Sequence, residues 1–449
     1  MKRFLVLAFL LTSFFLAAQQ RQTADLTVNK IEDDSLLRAS LRDSWFDETP
    51  ARDQAKRPEK HTLRGGSRVQ VRTESGADEF AVVLARELPG RNDSFPGWAQ
   101  GSWVLTRRKS DGEPIRVRIF LRSDPYTYIQ FRPFIEDKCL MDVVLYDAYL
   151  IRSLPLPVSF ERVLLLPVDE ILALAGDRFP RKYFEPLPGL YRDTRAFVAA
   201  VREKLPELSF GDDGAIDQNG NYVFINSLEK QNTGASGGLN CSGFAKWVVD
   251  GILKPHTGEL LPVAPLREPF GNRGSTYTEP WEKIRDPFFG LDWIRNLASM
   301  AGEILRSPSH AVLSEIEVRT QPFSQIIHRQ NNTSVIRPYP GFLPDGGFGI
   351  EGIHALLYTL AIDEPGRIYL AAVNNEIRDA ITPDNPRGLP RMRQYFHIAV
   401  LVPYFDERGY FQVAVFESAA ETSINFFKNR YPGNYVNLVR IPVDGYFNP

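Results

Sequence analysis

Thr233-Gly-Ala-Ser-Gly-Gly-Leu-Asn240-Cys241-Ser242-Gly243-Phe244-Ala-Lys-Trp-Val-Val-Asp250 runs a loop of small residues into a helix, with a cysteine at the junction. Phe244, Trp247, Val248 and Ile252 recur at helical spacing, which predicts one buried apolar face. Asn240 is a favourable N-cap, because its side chain can accept a hydrogen bond from a free N–H of the first turn. Cys241 then falls at the first helical position. Unsatisfied N–H groups and the positive end of the helix dipole favour an anion there, so a thiolate is stabilised. Gly238 and its small neighbours leave the approach to the sulfur open. The same cysteine also fits a small buried hydrophobe, or one half of a disulfide in an oxidising compartment.

A thiolate acting as a nucleophile needs a base, and the base needs an orienting group. Of the six histidines, His61, His256, His310, His328, His354 and His397, only His397 opens a strongly predicted strand, Tyr395-Phe-His-Ile-Ala-Val-Leu-Val402. Asp406-Glu-Arg-Gly409 then turns the chain into Tyr410-Phe-Gln-Val-Ala-Val-Phe-Glu417, an antiparallel hairpin. A two-residue turn sets Ser418 opposite His397, and a three-residue loop sets Glu417 there. A carboxylate orients and charges an imidazole better than a hydroxyl, which favours Glu417. A solvated strand end for Glu417 and a core histidine for His397 are the structural alternatives.

The wording Asn240-Cys-Ser-Gly-Phe at a helix start, with a strand-opening histidine far downstream, resembles the NlpC/P60 superfamily of papain-like cysteine peptidases. The resemblance implies an α+β, papain-like domain in which the cysteine helix packs on an antiparallel sheet. It implies Cys241 as nucleophile, His397 as base and Glu417 as the third residue. Substrate would be bound around Ser242, Gly238 and Tyr222, an aromatic residue upstream of the nucleophile. The family's usual substrates are peptidoglycan peptides, and its chemistry uses no cofactor or metal. This chain departs from the pattern in three places. Asn240 stands where Asp is usual, Glu417 where His, Asn or Gln is usual, and a long segment of about 254–349 separates the helix from the sheet. The departures leave two alternatives open: a wall- or surface-binding protein without turnover, and a related acyltransferase or lipid-directed hydrolase.

The remaining sequence sets the frame. Met1-Lys2-Arg3, the apolar Phe4–Leu16 and Ala17-Ala18 read as a secretory signal peptide over 1–18, so the chain is expected to be periplasmic or extracellular. The apolar run is shorter than the roughly 20 residues that span a bilayer, and no later stretch is apolar enough, so no membrane span is expected in the mature chain. Residues 19–62 read as a polar arm, with one short helix near Ile31–Leu41. Residues 63–170 have period-two patterning and a hairpin turn at Asp111-Gly112, a small β-rich domain. Residues 171–449 are expected to form the NlpC/P60-like catalytic domain that the resemblance implies. Its Pro- and Gly-rich insertion, with an amphipathic helix over Phe289–Leu305, reads as a wall or lid over the substrate groove. A net charge of −2 gives no basic stripe for nucleic acid. Metalloprotease and Walker motifs are missing from the sequence. Two cysteines in 449 residues, Cys139 and Cys241, are expected to be free thiols rather than a disulfide framework.

Overall fold

In a computed structural model, the described residues are 28–46, 56–90, 92–231, 237–271, 286–305, 313–330, 333–375 and 394–449. The expected signal peptide and loop residues 233–236 lie outside them. The chain forms two compact units, one of Met1–Leu145 and Leu150–Glu185, the other of Tyr146–Tyr149 and Pro186–Pro449.

Period-two alternation shapes the first unit. In β2, Arg68–Ser75, Val69 and Val71 are buried while Arg68 is exposed. Eight strands follow one another in hydrogen-bonded order. They are β1 (Glu59–Thr62), β2, β3 (Glu79–Arg86), β4 (Trp103–Arg108), β5 (Pro114–Ile119), β6 (Tyr128–Ile135), β7 (Lys138–Leu145) and β8 (Ala148–Leu156). The turn between β4 and β5 holds Asp111-Gly112, with Gly112 at φ +77°, a backbone state that glycine adopts without steric cost. Arg116 ion-pairs with Glu79 at 2.6 Å, and Arg118 Nε donates to Gln130 at 3.0 Å.

The stretch expected as a polar arm is structured where it is described. Asp34 caps helix α1 (Ser35–Ser40) by accepting from Leu37 N–H. Leu41, Trp45 and Phe46 are buried, and so is Arg38. Arg38 escapes the cost of a bare buried charge because it pairs with Asp33, donates to the carbonyls of Leu164 and Leu166, and stacks 3.8 Å from the Trp103 ring centroid. A few well-buried residues, Val28, Leu41, Trp45 and Phe46, hold the stretch, which is why its low overall hydrophobicity misleads. Two helices close the unit, α2 (Phe160–Leu165) and α3 (Val168–Ala175).

The second unit is mixed α+β with antiparallel sheets. Helix α4 (Arg192–Lys204) buries Phe197, Val198 and Val201, the face its spacing predicts. A small hairpin, β9 (Gly214–Ile216) with β10 (Tyr222–Phe224), precedes helix α5 (Cys241–Thr257). Pro255 sits inside α5 and cannot donate to the carbonyl four residues back, that of Gly251. The N–H of Asn448 takes that acceptor at 2.8 Å, and Phe447 fills the space a Cβ on Gly251 would occupy. The C-terminal residues therefore dock where the helix lacks a hydrogen bond.

Helix α6 (Phe289–Leu305) and a single turn, α7 (Leu313–Ile316), come next, then a hairpin of β11 (Gln325–Gln330) and β12 (Thr333–Pro338). The larger sheet has six strands: β13 (Phe348–Gly349), β14 (Arg367–Asn375), β15 (Gln394–Phe405), β16 (Phe411–Glu417), β17 (Ala420–Ser423) and β18 (Tyr435–Pro442), in the order β13-β18-β14-β15-β16-β17. Helix α8 (Ile353–Asp363) lies between β13 and β14 in the chain, and α9 (Ile424–Arg430) between β17 and β18. Both α5 and α6 pack on this sheet and on each other. Leu291, Trp293, Ile294, Leu297 and Ala298 of α6 are fully buried. This helix, expected in a lid, belongs to the core. Its apolar stripe is wide enough to be covered by both α5 and the sheet.

Candidate active site

The site starts from the cap of α5. Asn240 is in extended backbone conformation, and its Oδ1 accepts from Gly243 N–H at 2.8 Å. Its own N–H donates to Gly214 O at 3.1 Å, which fixes the helix start to β9. The approach is so close that a Cβ on Gly243 would lie 1.9 Å from Gly214 O. Glycine is required there for space rather than for conformation. Cys241 is the first helical residue and is half-buried. Ser242 is buried beside it. The Ser242 carbonyl accepts from Trp293 Nε1 at 2.9 Å.

His397 is the fourth residue of β15 rather than its opening residue. On the β14 side it pairs with Val373, whereas Asn374 pairs with Tyr395. Phe396 is thus the extra residue of a β-bulge, which breaks the two-residue alternation immediately before the histidine. Bulges re-aim side chains in this way. The imidazole and the Cys241 thiol act on each other's titration, and the backbone of Ile398 also favours the charged sulfur. His397 Nε2 lies 2.7 Å from Glu417 Oε1, which leaves Nδ1 for the sulfur.

The register differs from both expected alternatives. Phe405 pairs with Phe411 and Val400 with Phe416, so residues 406–410 form the connection and His397 extrapolates to face Ala419. The turn is longer than the two or three residues counted from sequence, because Asp406 Oδ1 accepts from the N–H groups of both Arg408 and Tyr410. Glu417 is two residues from Ala419 and so shares the face of His397. A diagonal pair of this kind is within reach of long side chains. Ser418 falls on the other parity. It and Ala419, at φ +46° and +68°, make the two-residue turn into β17.

Three further groups converge on Glu417. Thr422 Oγ1 donates to Oε2 at 3.0 Å, Tyr431 OH donates to Oε1 at 3.4 Å, and Arg430 lies 3.8 Å from Oε1. The Tyr431 ring stands 5.5 Å from the His397 ring. Sequence reasoning passed over all three. Thr422 is brought in by a turn without glycine, and Tyr431 by a helix of seven residues whose only signal is its Ser423 cap. The other expected residues are placed as follows. The Tyr222 ring lies against Gly237, where a Cβ would meet its Cγ at 2.3 Å. Gly238 N–H donates to Gln231 Oε1 and its carbonyl accepts from Gln231 Nε2, while a Cβ would strike the backbone of Phe210 and Gly211. Gly238 therefore lets two backbone segments meet.

The charges reinforce one another. Burial pushes the Cys241 thiol up, but the hydrogen bond and charge of His397 outweigh it, and the net shift is below the ordinary thiol value. Burial opposes the imidazolium too, yet Cys241 and Glu417 raise His397 to about 9. Glu417 is lowered: burial disfavours its charge, and His397, Thr422 and Arg430 outweigh burial. The shifts of Cys241 and His397 both run in the direction of a thiolate–imidazolium pair, titrating as a unit. Cys139 is the contrast. It is fully buried, and burial pushes it up to about 11. Both cysteines are free. Burial lowers His354 to about 3, which keeps it uncharged, and it stacks on Tyr146 at 3.9 Å. His310 lies outside the described residues. Among the described residues no helix is long and apolar enough to cross a membrane.

A family model described as "Domain of unknown function (DUF8515)" matches residues 27–183. That stretch coincides with most of the first unit and stops short of every residue of this site. No curated protein and no solved structure matches the chain.

Proposed function

We propose that this chain is an exported cysteine hydrolase of the papain-like, NlpC/P60 type that cleaves amide bonds in peptidoglycan stem peptides. The observation that carries the reading is the grouping of Cys241 with His397, whose charges act on each other, and the 2.7 Å bond from His397 to Glu417, built on a helix start and two neighbouring strands. A binding surface has no use for a thiolate held beside a half-buried imidazolium. Nucleophilic catalysis needs both. The substrate class rests on the signal-like N-terminus and on the resemblance of Asn240-Cys-Ser-Gly-Phe to that family.

In this mechanism the Cys241 sulfur attacks the amide carbonyl. The N–H of Cys241, at a helical position that no intrahelical carbonyl reaches, donates to the oxyanion. The imidazolium of His397 protonates the departing amine, and the bond from carbon to nitrogen breaks to leave a thioester. Water, deprotonated by the now neutral imidazole, attacks the thioester, and the thiolate leaves to restore the pair. Glu417 holds the ring plane and the charge throughout.

Purified peptidoglycan incubated with the protein tests the reading. Release of new amines by the wild type, and none by Cys241→Ala, is the expected result. Equal binding of wall fragments by both proteins, with no peptide cleaved by either, would favour a wall-binding protein instead.

A further inference from the structure

The carboxylate of Glu417 is buried, yet the structure surrounds it with donors from three elements. His397 reaches Oε1 from β15, Thr422 reaches Oε2 from β17, and Tyr431 reaches Oε1 from the C-cap that follows α9. Arg430, half-exposed, adds a charge 3.8 Å away and leans over the Tyr431 ring. These are the charged and titratable groups facing Glu417, and the Cys241 thiol acts on it through the imidazole.

We propose that Thr422 and Tyr431 are positioning residues, whose hydroxyls hold Glu417 ionised and aimed at His397 Nε2 and so maintain the nucleophilic form of Cys241. The inference rests on the thiol–imidazole reading of the site. Strand register explains why Thr422 serves. Glu417 pairs with Ala420 and Val415 with Thr422, so Thr422 is the diagonal neighbour of Glu417 on the same face. Tyr431 serves differently. Phe427 and Phe396 fix its ring edge-on at 5.3 and 5.8 Å, and it lies alongside the imidazole while its hydroxyl reaches the carboxylate. Each oxygen of Glu417 thereby receives a neutral donor, and a carboxylate buried without donors would take up a proton instead. A protonated Glu417 no longer favours the imidazolium, and the thiol then keeps its proton.

The rate of Cys241 alkylation by iodoacetamide, measured across pH on the full chain and located by peptide mass, tests this without any substrate. Thr422→Val keeps the shape and removes the hydroxyl. Its acid limb is expected to move to higher pH by about one unit, the size of a lost hydrogen bond to a charged group. Tyr431→Phe should move it in the same direction by less, since its contact is longer, and Thr422→Ser should restore the wild-type limb. A merely structural role would lower the melting temperature and leave the limb in place, which would overturn the proposal. So would a Thr422→Ser profile matching that of Thr422→Val. An ordinary thiol profile in the wild type would instead overturn the thiolate pair and the hydrolase reading together.

Discussion

Cys241 and Cys139 have the same side chain and opposite chemistry. Cys241 sits on a helix start beside an imidazole, and Cys139 is enclosed in β7 of the first unit. Iodoacetamide at about pH 7 should therefore label Cys241 and spare Cys139, as read by peptide mass; equal labelling would remove the distinction. Cys241→Ala and His397→Ala should each abolish turnover, and the double variant should be no worse than either, because the two act as a unit. Glu417→Gln should slow the reaction less, since an amide oxygen still accepts the imidazole N–H but supplies no charge. A Gln variant as inactive as His397→Ala would assign Glu417 a larger part than orientation. Cys241, His397 and Glu417 were all legible in the sequence, because a capped helix, a strand histidine and a returning strand each leave a local pattern. Thr422 and Tyr431 were not, since their roles depend on a register and a short helix that only tertiary packing fixes.

Two short contacts hold α5 in place, and they predict different losses. Asn240→Ala removes the cap and should cost about 1 kcal/mol, while Asn240→Asp should be near neutral, because Asp caps as well as Asn. Gly243→Ala forces a Cβ into Gly214 O and should lower the urea midpoint more than loss of the cap does. A Gly243→Ala protein of wild-type midpoint would mean that α5 does not dock on β9 as described. The helix itself follows from the spacing of Phe244, Trp247, Val248 and Ile252. The partner of its Ser242 carbonyl does not, because Trp293 lies fifty-one residues on, and a helical stripe does not say whether it covers a core or a groove. The hairpin register escaped for a similar reason. Counting residues fixes a register only when the turn is tight, and Asp406 holds a wider one open.

At the scale of the whole molecule, the proton shared by sulfur and ring leaves a signature in stability. His397, raised to about 9, contributes stability that is complete below its ordinary 6.5 and fades as pH climbs through about 9. Cys241, lowered from 9.0, contributes stability that is complete above 9.0 and fades as pH falls through its folded value. Between these limits the slopes cancel, because folding moves one proton from sulfur to ring with no net uptake. Below 6.5 and above the folded value of Cys241 the unfolded chain binds both protons and the folded pair only one, so acid destabilises there, and Glu417, also lowered, adds to the loss at lower pH still. Cys241→Ala should lose the plateau. Its melting temperature relative to wild type should fall as pH rises above 6.5, and parallel curves would contradict the coupling. The change from period-two to helical patterning near residue 170 falls inside the first unit, which keeps α2 and α3 and ends at Glu185. The buried ends of the polar stretch before residue 63 could not be read from the sequence, since Arg38 is buried only because Asp33 and two distant carbonyls receive it. The most direct measurement is the ultraviolet thiolate absorbance of wild type minus Cys241→Ala, followed from about pH 4 to 10. A thiolate–imidazolium pair predicts a thiolate signal already present at neutral pH and a second inflection near 9, as the ring loses its proton; a single step near 9, that of an ordinary thiol, would contradict it.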